Sequence, residues 1–324
     1  MLSPAPQPRW IAPMLATLTH QHFSRDGWLF ERKLDGERCL AFCAGTEVRL
    51  LSRNEHDLSR TYPEVADALR ERAHDVVLDG EVVAMERGQT SFSLLQRRMG
   101  INDEAAARRS DVAVSYHIFD LLHADGNDIR SLPLHARRRL LHRSLSVRAP
   151  LHFTEHRDRD GEAYLAEACS SGWEGLIAKR ADSAYVSARS PDWLKFRCSS
   201  EQEFVVVGFT DPMRARIGLG ALLLGYYEDG SLLYAGKVGT GFDTATLRAL
   251  RARLDALHEV RSPLTSAQRV RERGVHWVRP ALVAQVAFTE WTRDGLLRHP
   301  RYLGLRDDKS PDEVVRERPD DVTR

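Results

Sequence analysis

The chain has 324 residues, 42% of them hydrophobic and 29% charged, with a formal net charge of +1. That composition excludes a disordered polymer, and no apolar run approaches the ~20 residues a membrane-spanning helix needs. Near-neutral charge neither demands nor forbids a polynucleotide partner, and four cysteines without a C-x-x-C pair or paired histidine spacing leave a zinc site or a disulfide framework unexpected.

At about 150 residues per domain, two domains are expected. The N-terminus, Met1-Leu2-Ser3-Pro4, lacks the basic and apolar regions of a signal peptide, which makes a cytoplasmic location the expectation. Trp28 to Lys33 alternates bulky and polar residues, and Asp35-Gly36 then turns the chain into Cys39 to Ala44, a hairpin pattern with Lys33 at a strand end. Val48 to Leu51 reads as a strand, Pro63 to Ala73 as a helix with Pro in its first turn, and Val76 to Met85 as a strand. Ser91 to Met99 reads as helical, Val112 to Leu122 as extended and Leu134 to Ser146 as helical. A helix near Glu162 to Ser170 and strands at Glu174 to Arg180 and Trp193 to Arg197 complete residues 1–198, a mixed α+β domain.

Composition shifts at Cys198-Ser199-Ser200-Glu201. Beyond it, Phe204 to Phe209, Ala221 to Tyr227 and Leu232 to Val238 read as strands, Thr244 to Val260 as an amphipathic helix and Val275 to Trp291 as extended chain. Residues 199–324 therefore suit a small OB-type β-barrel with a charged tail.

All but five of the 47 Lys and Arg residues are arginine; the lysines are Lys33, Lys179, Lys195, Lys237 and Lys309. Arginine stays protonated at any biological pH, whereas lysine can lose its proton and attack phosphorus or carbon, so Lys33 is the first candidate nucleophile. Attack on the α-phosphate of a nucleotide would also need a platform for the base, cations for the phosphates and carboxylates for a divalent metal. Asp79-Gly80-Glu81 and Glu174-Gly175-Leu176-Ile177-Ala178-Lys179 each put a carboxylate at the edge of an apolar strand. Trp193-Leu194-Lys195-Phe196-Arg197 puts Lys195 and Arg197 on one strand face, and Phe119 is an aromatic that can stack on a purine.

Arginine clusters at Arg97-Arg98, Arg108-Arg109, Arg137-Arg138-Arg139 with Arg143, and Arg269, Arg271 and Arg273 could track a phosphate backbone. Gly230 to Lys237 resembles a phosphate-binding loop but is one residue too long, and Val238 stands where Ser or Thr is required. His152 and His156 have helical ligand spacing without a third ligand and read as surface histidines.

In order and spacing these segments resemble the covalent nucleotidyltransferases, the DNA ligases, RNA ligases and capping enzymes. Lys33-Leu34-Asp35-Gly36 matches the nucleophile motif, and Ser52-Arg53-Asn54, Asp79-Gly80-Glu81, Phe119-Asp120, Glu174-Gly175-Leu176-Ile177 and Trp193-Leu194-Lys195-Phe196-Arg197 match the motifs that follow. Pro13-Met14-Leu15-Ala16 and the late run from Arg298-His299-Pro300-Arg301-Tyr302 to Arg306-Asp307-Asp308-Lys309 are most similar to the ligase module of bacterial ATP-dependent end-joining ligases.

The resemblance implies an adenylation domain of antiparallel sheets with flanking helices, followed by an OB barrel. It implies ATP with Mg²⁺ or Mn²⁺ as cofactors and sealing of 5′-phosphate/3′-hydroxyl breaks in duplex DNA through lysyl-AMP and DNA-adenylate. By the same resemblance Lys33 carries AMP, and Glu31 and Phe119 hold the adenine. Arg38 and Arg53 hold ribose and phosphate, Leu34 is a further cofactor-binding residue, Glu81 and Glu174 serve metal or ribose, and Lys195 and Arg197 clamp the α-phosphate, with Arg197 standing where many relatives carry lysine. Arg306 and Lys309 align pyrophosphate. Neighbouring cations are expected to depress the Lys33 pKa. A monomer is expected, at work on the bacterial nucleoid during repair, with a Ku-type end-bridging protein as candidate recruiter. Stand-alone enzyme and excised module both stay open. RNA ligation or capping is the alternative within the same chemistry, and an inactive DNA-binding scaffold the alternative outside it.

Overall fold

The computed structural model describes residues 4–73, 75–198, 200–212, 217–265, 270, 272–292 and 294–317. The chain forms two compact units, one up to Cys198 and one from Ser199 to Glu317.

Two sheets build the first unit. The smaller runs in the order Leu15–Leu18, Arg189–Arg197, Gly175–Arg180, Trp28–Arg32 and His156–Arg157. The larger runs Glu47–Ser52, Glu37–Ala44, Val76–Glu86, Val114–Ala124 and Asn127–Asp128, with Gln89–Thr90 and Leu151–Phe153 as side branches. Alternation along each strand divides the side chains between two faces. Cys39, Ala41, Leu78 and Val82 on one face of the larger sheet pack with Val65 and Leu69 of the helix Pro63–Arg70. Leu40, Phe42, Val77 and Phe119 on its other face meet Trp193 of the smaller sheet. The far side of the smaller sheet, Phe30, Leu176, Leu194 and Phe196, is covered by Tyr164 and Leu165 of the helix Gly161–Ser170. One apolar cluster thus joins the two sheets face to face.

Two expectations are corrected here. Trp28–Arg32 and Glu37–Ala44 do not pair as a hairpin; they belong to different sheets, and the chain crosses from one to the other through Lys33 to Gly36. Period-two alternation locates strands but carries no information about which edge each will choose. Cys169 and Cys198 are joined in a disulfide, with Cα atoms 5.2 Å apart. Cys169 lies in the last turn of Gly161–Ser170, whose chain returns through Trp173 and Glu174. Cys198 N donates to Glu174 O at 3.0 Å, which brings the two sulfurs together.

The second unit is a sheet in the order Ser231–Val238, Leu222–Glu228, Ser200–Thr210, Val275–Phe288 and His258–Glu259, with Arg301–Leu305 also paired to Val275–Phe288. Tyr302 N donates to Thr240 O at 3.0 Å, so the last strand curls back towards the opposite edge, as an OB barrel requires. Its apolar interior includes Phe204, Val206, Leu224 and Val283, and Leu247, Leu250 and Leu254 of the helix Thr244–Asp255 seal it. Asp243 caps that helix through Thr246 N at 2.7 Å. The helix stops at Asp255, short of Val260, because His258 and Glu259 pair with Val278 and Trp277. The loop-like run Gly230 to Lys237 is a hairpin strand.

Candidate active site

Register aligns the site. Leu29, Lys179 and Trp193 are cross-strand neighbours in the smaller sheet, as are Glu31, Ile177 and Lys195. Lys33 N donates to Gly175 O at 2.9 Å, and Gly175 pairs with Arg197. Because paired residues share a face, Glu31, Lys179, Trp193, Lys195 and Arg197 all project towards the larger sheet, and Lys33 lies at the end of the same row. A Cβ on Gly175 would lie 2.0 Å from Phe196 O, so only glycine allows the strands to close beside Lys33.

Lys33 Nζ forms an ion pair with the Glu174 carboxylate. Burial pushes the ammonium down and Arg197 adds to that, but the attraction of Glu174 outweighs both and holds the Lys33 amine above its ordinary value. The expected depression by neighbouring cations is therefore corrected: an acid, not a cation, is in contact. Leu34, half-buried, follows in the crossing segment. At Gly36 a Cβ would lie 2.2 Å from Val82 O and 2.9 Å from Glu81 Cγ, so the crossing runs hard against the strand that carries Glu81.

On the larger sheet Arg38, Glu81 and His117 are successive cross-strand neighbours, followed by His152. Arg38 donates Nε and Nη2 to the fully buried Asp79 carboxylate, both at 2.6 Å, and Tyr185 Oη donates to Asp79 at 2.7 Å. Arg53 stands in the turn after Ser52, the partner of Cys39. The His117 and His152 rings stack at 5.0 Å; burial, His152 and Arg32 push His117 down to about 4. His152 and His156 are exposed, as expected.

Phe119 is buried, and the Arg38 guanidinium lies 4.7 Å and Lys179 Nζ 4.0 Å from its ring centre. Glu31, 2% exposed, is held by Arg138 and by Lys179 Nζ at 2.6 Å. Sequence reasoning gave Glu31 a place in the site but missed the two cations that hold it, as it missed Asp79 and Tyr185. The scarcity of lysine pointed at Lys179; the pairing of Arg138 with Glu31 across 107 positions left no sequence signal.

Arg306 and Lys309 belong to the second unit. Arg306 grips Asp308 through two bonds of 2.9 and 2.8 Å, and Lys309 Nζ lies 3.6 Å from Glu203.

Several of the clustered arginines are paired within the fold. Arg98 is buried on Thr61 O, Val112 O and Glu64; Arg137 is buried on Asp120; Arg97 pairs with Asp111, and Arg108 with Asp67 and Glu104. Arg109, Arg139 and Arg143 stay exposed. Arg269 and Arg271 lie outside the described residues, as does the end of the charged tail.

A two-sheet domain built around such a lysine and followed by an OB barrel has the architecture of a nucleotidyltransferase ligase. Residues 13–197 match the family model of the ATP dependent DNA ligase domain, and residues 215–309 that of the ATP dependent DNA ligase C terminal region. The chain belongs to the ATP-dependent DNA ligase family.

It is 42% identical over 325 residues to the multifunctional non-homologous end joining protein LigD of Pseudomonas aeruginosa, covering 97% of this chain and 37% of that protein. With the multifunctional non-homologous end joining DNA repair protein LigD of Mycobacterium tuberculosis it is 39% identical over 313 residues, covering 95% of this chain and 40% of that protein. The chain thus spans about two-fifths of the length of these relatives. The solved structure of mycobacterial DNA ligase D complexed with ATP and MES is 37% identical, with 95% of this chain and 98% of that one covered and a TM-score of 0.63.

Proposed function

We propose that this chain seals 5′-phosphate/3′-hydroxyl breaks in duplex DNA at the expense of ATP, in end-joining repair. The observation that carries the reading is Lys33, placed at a sheet crossing with Glu174 on its amine and Arg197 in the adjoining row. Lys33 Nζ, having lost its proton, bonds to the α-phosphorus of ATP as the bond to pyrophosphate breaks. A 5′-phosphate oxygen then takes AMP and frees the lysine, and the 3′-hydroxyl oxygen attacks that 5′-phosphorus and expels AMP. Lys195 and Arg197 are suited to neutralise the charge that builds on the non-bridging oxygens. Arg38 and Arg53 are suited to ribose and phosphate, Phe119 and Glu31 to the adenine, and Arg306 and Lys309 to the departing pyrophosphate. The last two would have to exchange Asp308 and Glu203 for it.

Among the described residues no group of three or more His, Cys, Asp or Glu could hold a metal by itself. Two carboxylates, Glu81 and Glu174, suit Mg²⁺ or Mn²⁺, ions that complete their shell with phosphate oxygens and water. Bound there, the ion would supply positive charge to the α-phosphate.

The LigD relatives, named for non-homologous end joining, favour end joining over RNA ligation or capping, and a Ku-type protein is the partner proposed to bring this chain to a break. Incubation with ATP, a divalent metal and a nicked duplex tests the reading. A sealed strand and released AMP are expected, while an intact nick or a preference for RNA ends overturns it.

A further inference from the structure

We propose that Lys179 is a positioning residue for the nucleobase, fixing the Phe119–Trp193 aromatic pair and, through Glu31, the strand that leads to Lys33. The inference rests on the reading of Phe119 as the base platform. Lys179 is only 2% exposed, and a buried ammonium is costly unless it is paired. Its Nζ lies 4.0 Å from the Phe119 ring centre, 4.2 Å from that of Trp193 and 2.6 Å from Glu31 Oε2. Phe119 and Trp193 meet edge to face, 6.0 Å between centres, so one charge ties both rings.

The backbone of Phe119 is tied as well. Arg138, from the helix Leu134–Ser144, donates Nη1 to Phe119 O at 3.1 Å and to Glu31, and Nη2 to Thr154 O at 2.7 Å and His156 Nδ1 at 3.1 Å. Glu31 is thus a shared anion between the cation under the rings and the cation on the backbone behind them. Lysine presents a compact ammonium here, 4.0 and 4.2 Å from the two ring centres, whereas the bulkier Arg38 guanidinium stands 4.7 and 5.8 Å from the same rings. Burial, the largest influence, pulls the Lys179 ammonium below its ordinary value and Arg138 pulls the same way, with Glu31 opposing, as expected of one anion shared by two cations.

The test measures lysyl-AMP formation against ATP concentration in single turnover, with unfolding curves in parallel. In Lys179→Met, which keeps the apolar stem, the ATP concentration for half-maximal rate should rise about tenfold while the limiting rate changes by less than about threefold. Lys179→Arg should fall between wild type and Lys179→Met, because the charge returns without the fit. Glu31→Gln combined with Lys179→Met should be little worse than either alone. An unchanged half-saturation in a folded Lys179→Met overturns the proposal, as does a limiting rate that falls while half-saturation stays. Should Lys179→Met not fold, Lys179→Arg decides, with raised half-saturation in the folded variant in support and unchanged half-saturation against. Absence of any adduct in the wild type overturns the adenylation reading instead, so the two failures are told apart.

Discussion

Lys33 and Glu174, 141 positions apart in the sequence, meet as an ion pair where the chain crosses from one sheet to the other. The lysine directly follows the strand Trp28–Arg32, and the acid directly precedes its neighbour Gly175–Arg180. Glu174→Ala should lower lysyl-AMP formation on the order of a hundredfold or more, since it removes both the contact on the amine and a carboxylate suited to metal. Guanidinium denaturation should show the domain still folded. Wild-type adduct formation in this variant would take Glu174 out of the site.

Gly36 tests whether the crossing itself is needed. Its Cβ position lies 2.2 Å from a backbone oxygen, Val82 O, which cannot yield as a flexible side chain could. Gly36→Ala should shift the segment and cut activity at least tenfold, given how sharply rate depends on placement. Kinetics at saturating ATP beside a thermal melt would show it, and full activity with an unchanged melt would contradict it.

Arg137 and Asp120 form a fully buried pair joined by two bonds of 2.8 Å. Removing one partner leaves the other charge uncompensated, so Arg137→Ala should cost about 3–5 kcal/mol of stability. The salt dependence of DNA binding by the folded fraction should not change, because Arg137 is not available to phosphates. A flatter salt slope with native stability would place it on the DNA surface.

The Cys169–Cys198 disulfide closes a loop with a sequence separation of 29. Chain entropy assigns such a closure roughly 3–4 kcal/mol. Cys169→Ser, or reductant, should lower the unfolding midpoint of the first unit, read from calorimetry. An unchanged midpoint would mean that the bond adds nothing to stability.

Strands and helices were legible because alternation and turn residues are local signals, and the scarcity of lysine singled out Lys33 as the candidate nucleophile. Glu81, Glu174, Lys195 and Arg197 could be read as candidates from their place on short apolar strands. What could not be read is which strands pair. The apparent hairpin at Asp35-Gly36 is a crossover, and the same missing knowledge of pairing hid the disulfide between a helix end and a strand end. Nor does a run such as Arg137-Arg138-Arg139 say which members turn inward; two of the three are buried on Asp120 and Glu31, and only Arg139 stays outside.

On the proposed reading the Lys33 amine carries the adenylyl group. Incubation with α-labelled ATP and a divalent metal, followed by denaturing electrophoresis and peptide mapping, tests it most directly. Label should appear on the peptide holding Lys33 and disappear in Lys33→Ala. It should disappear equally in Lys33→Arg, which keeps the charge but does not give up its proton. Label that survives either change, or that maps to another residue, would show that Lys33 is not the nucleophile.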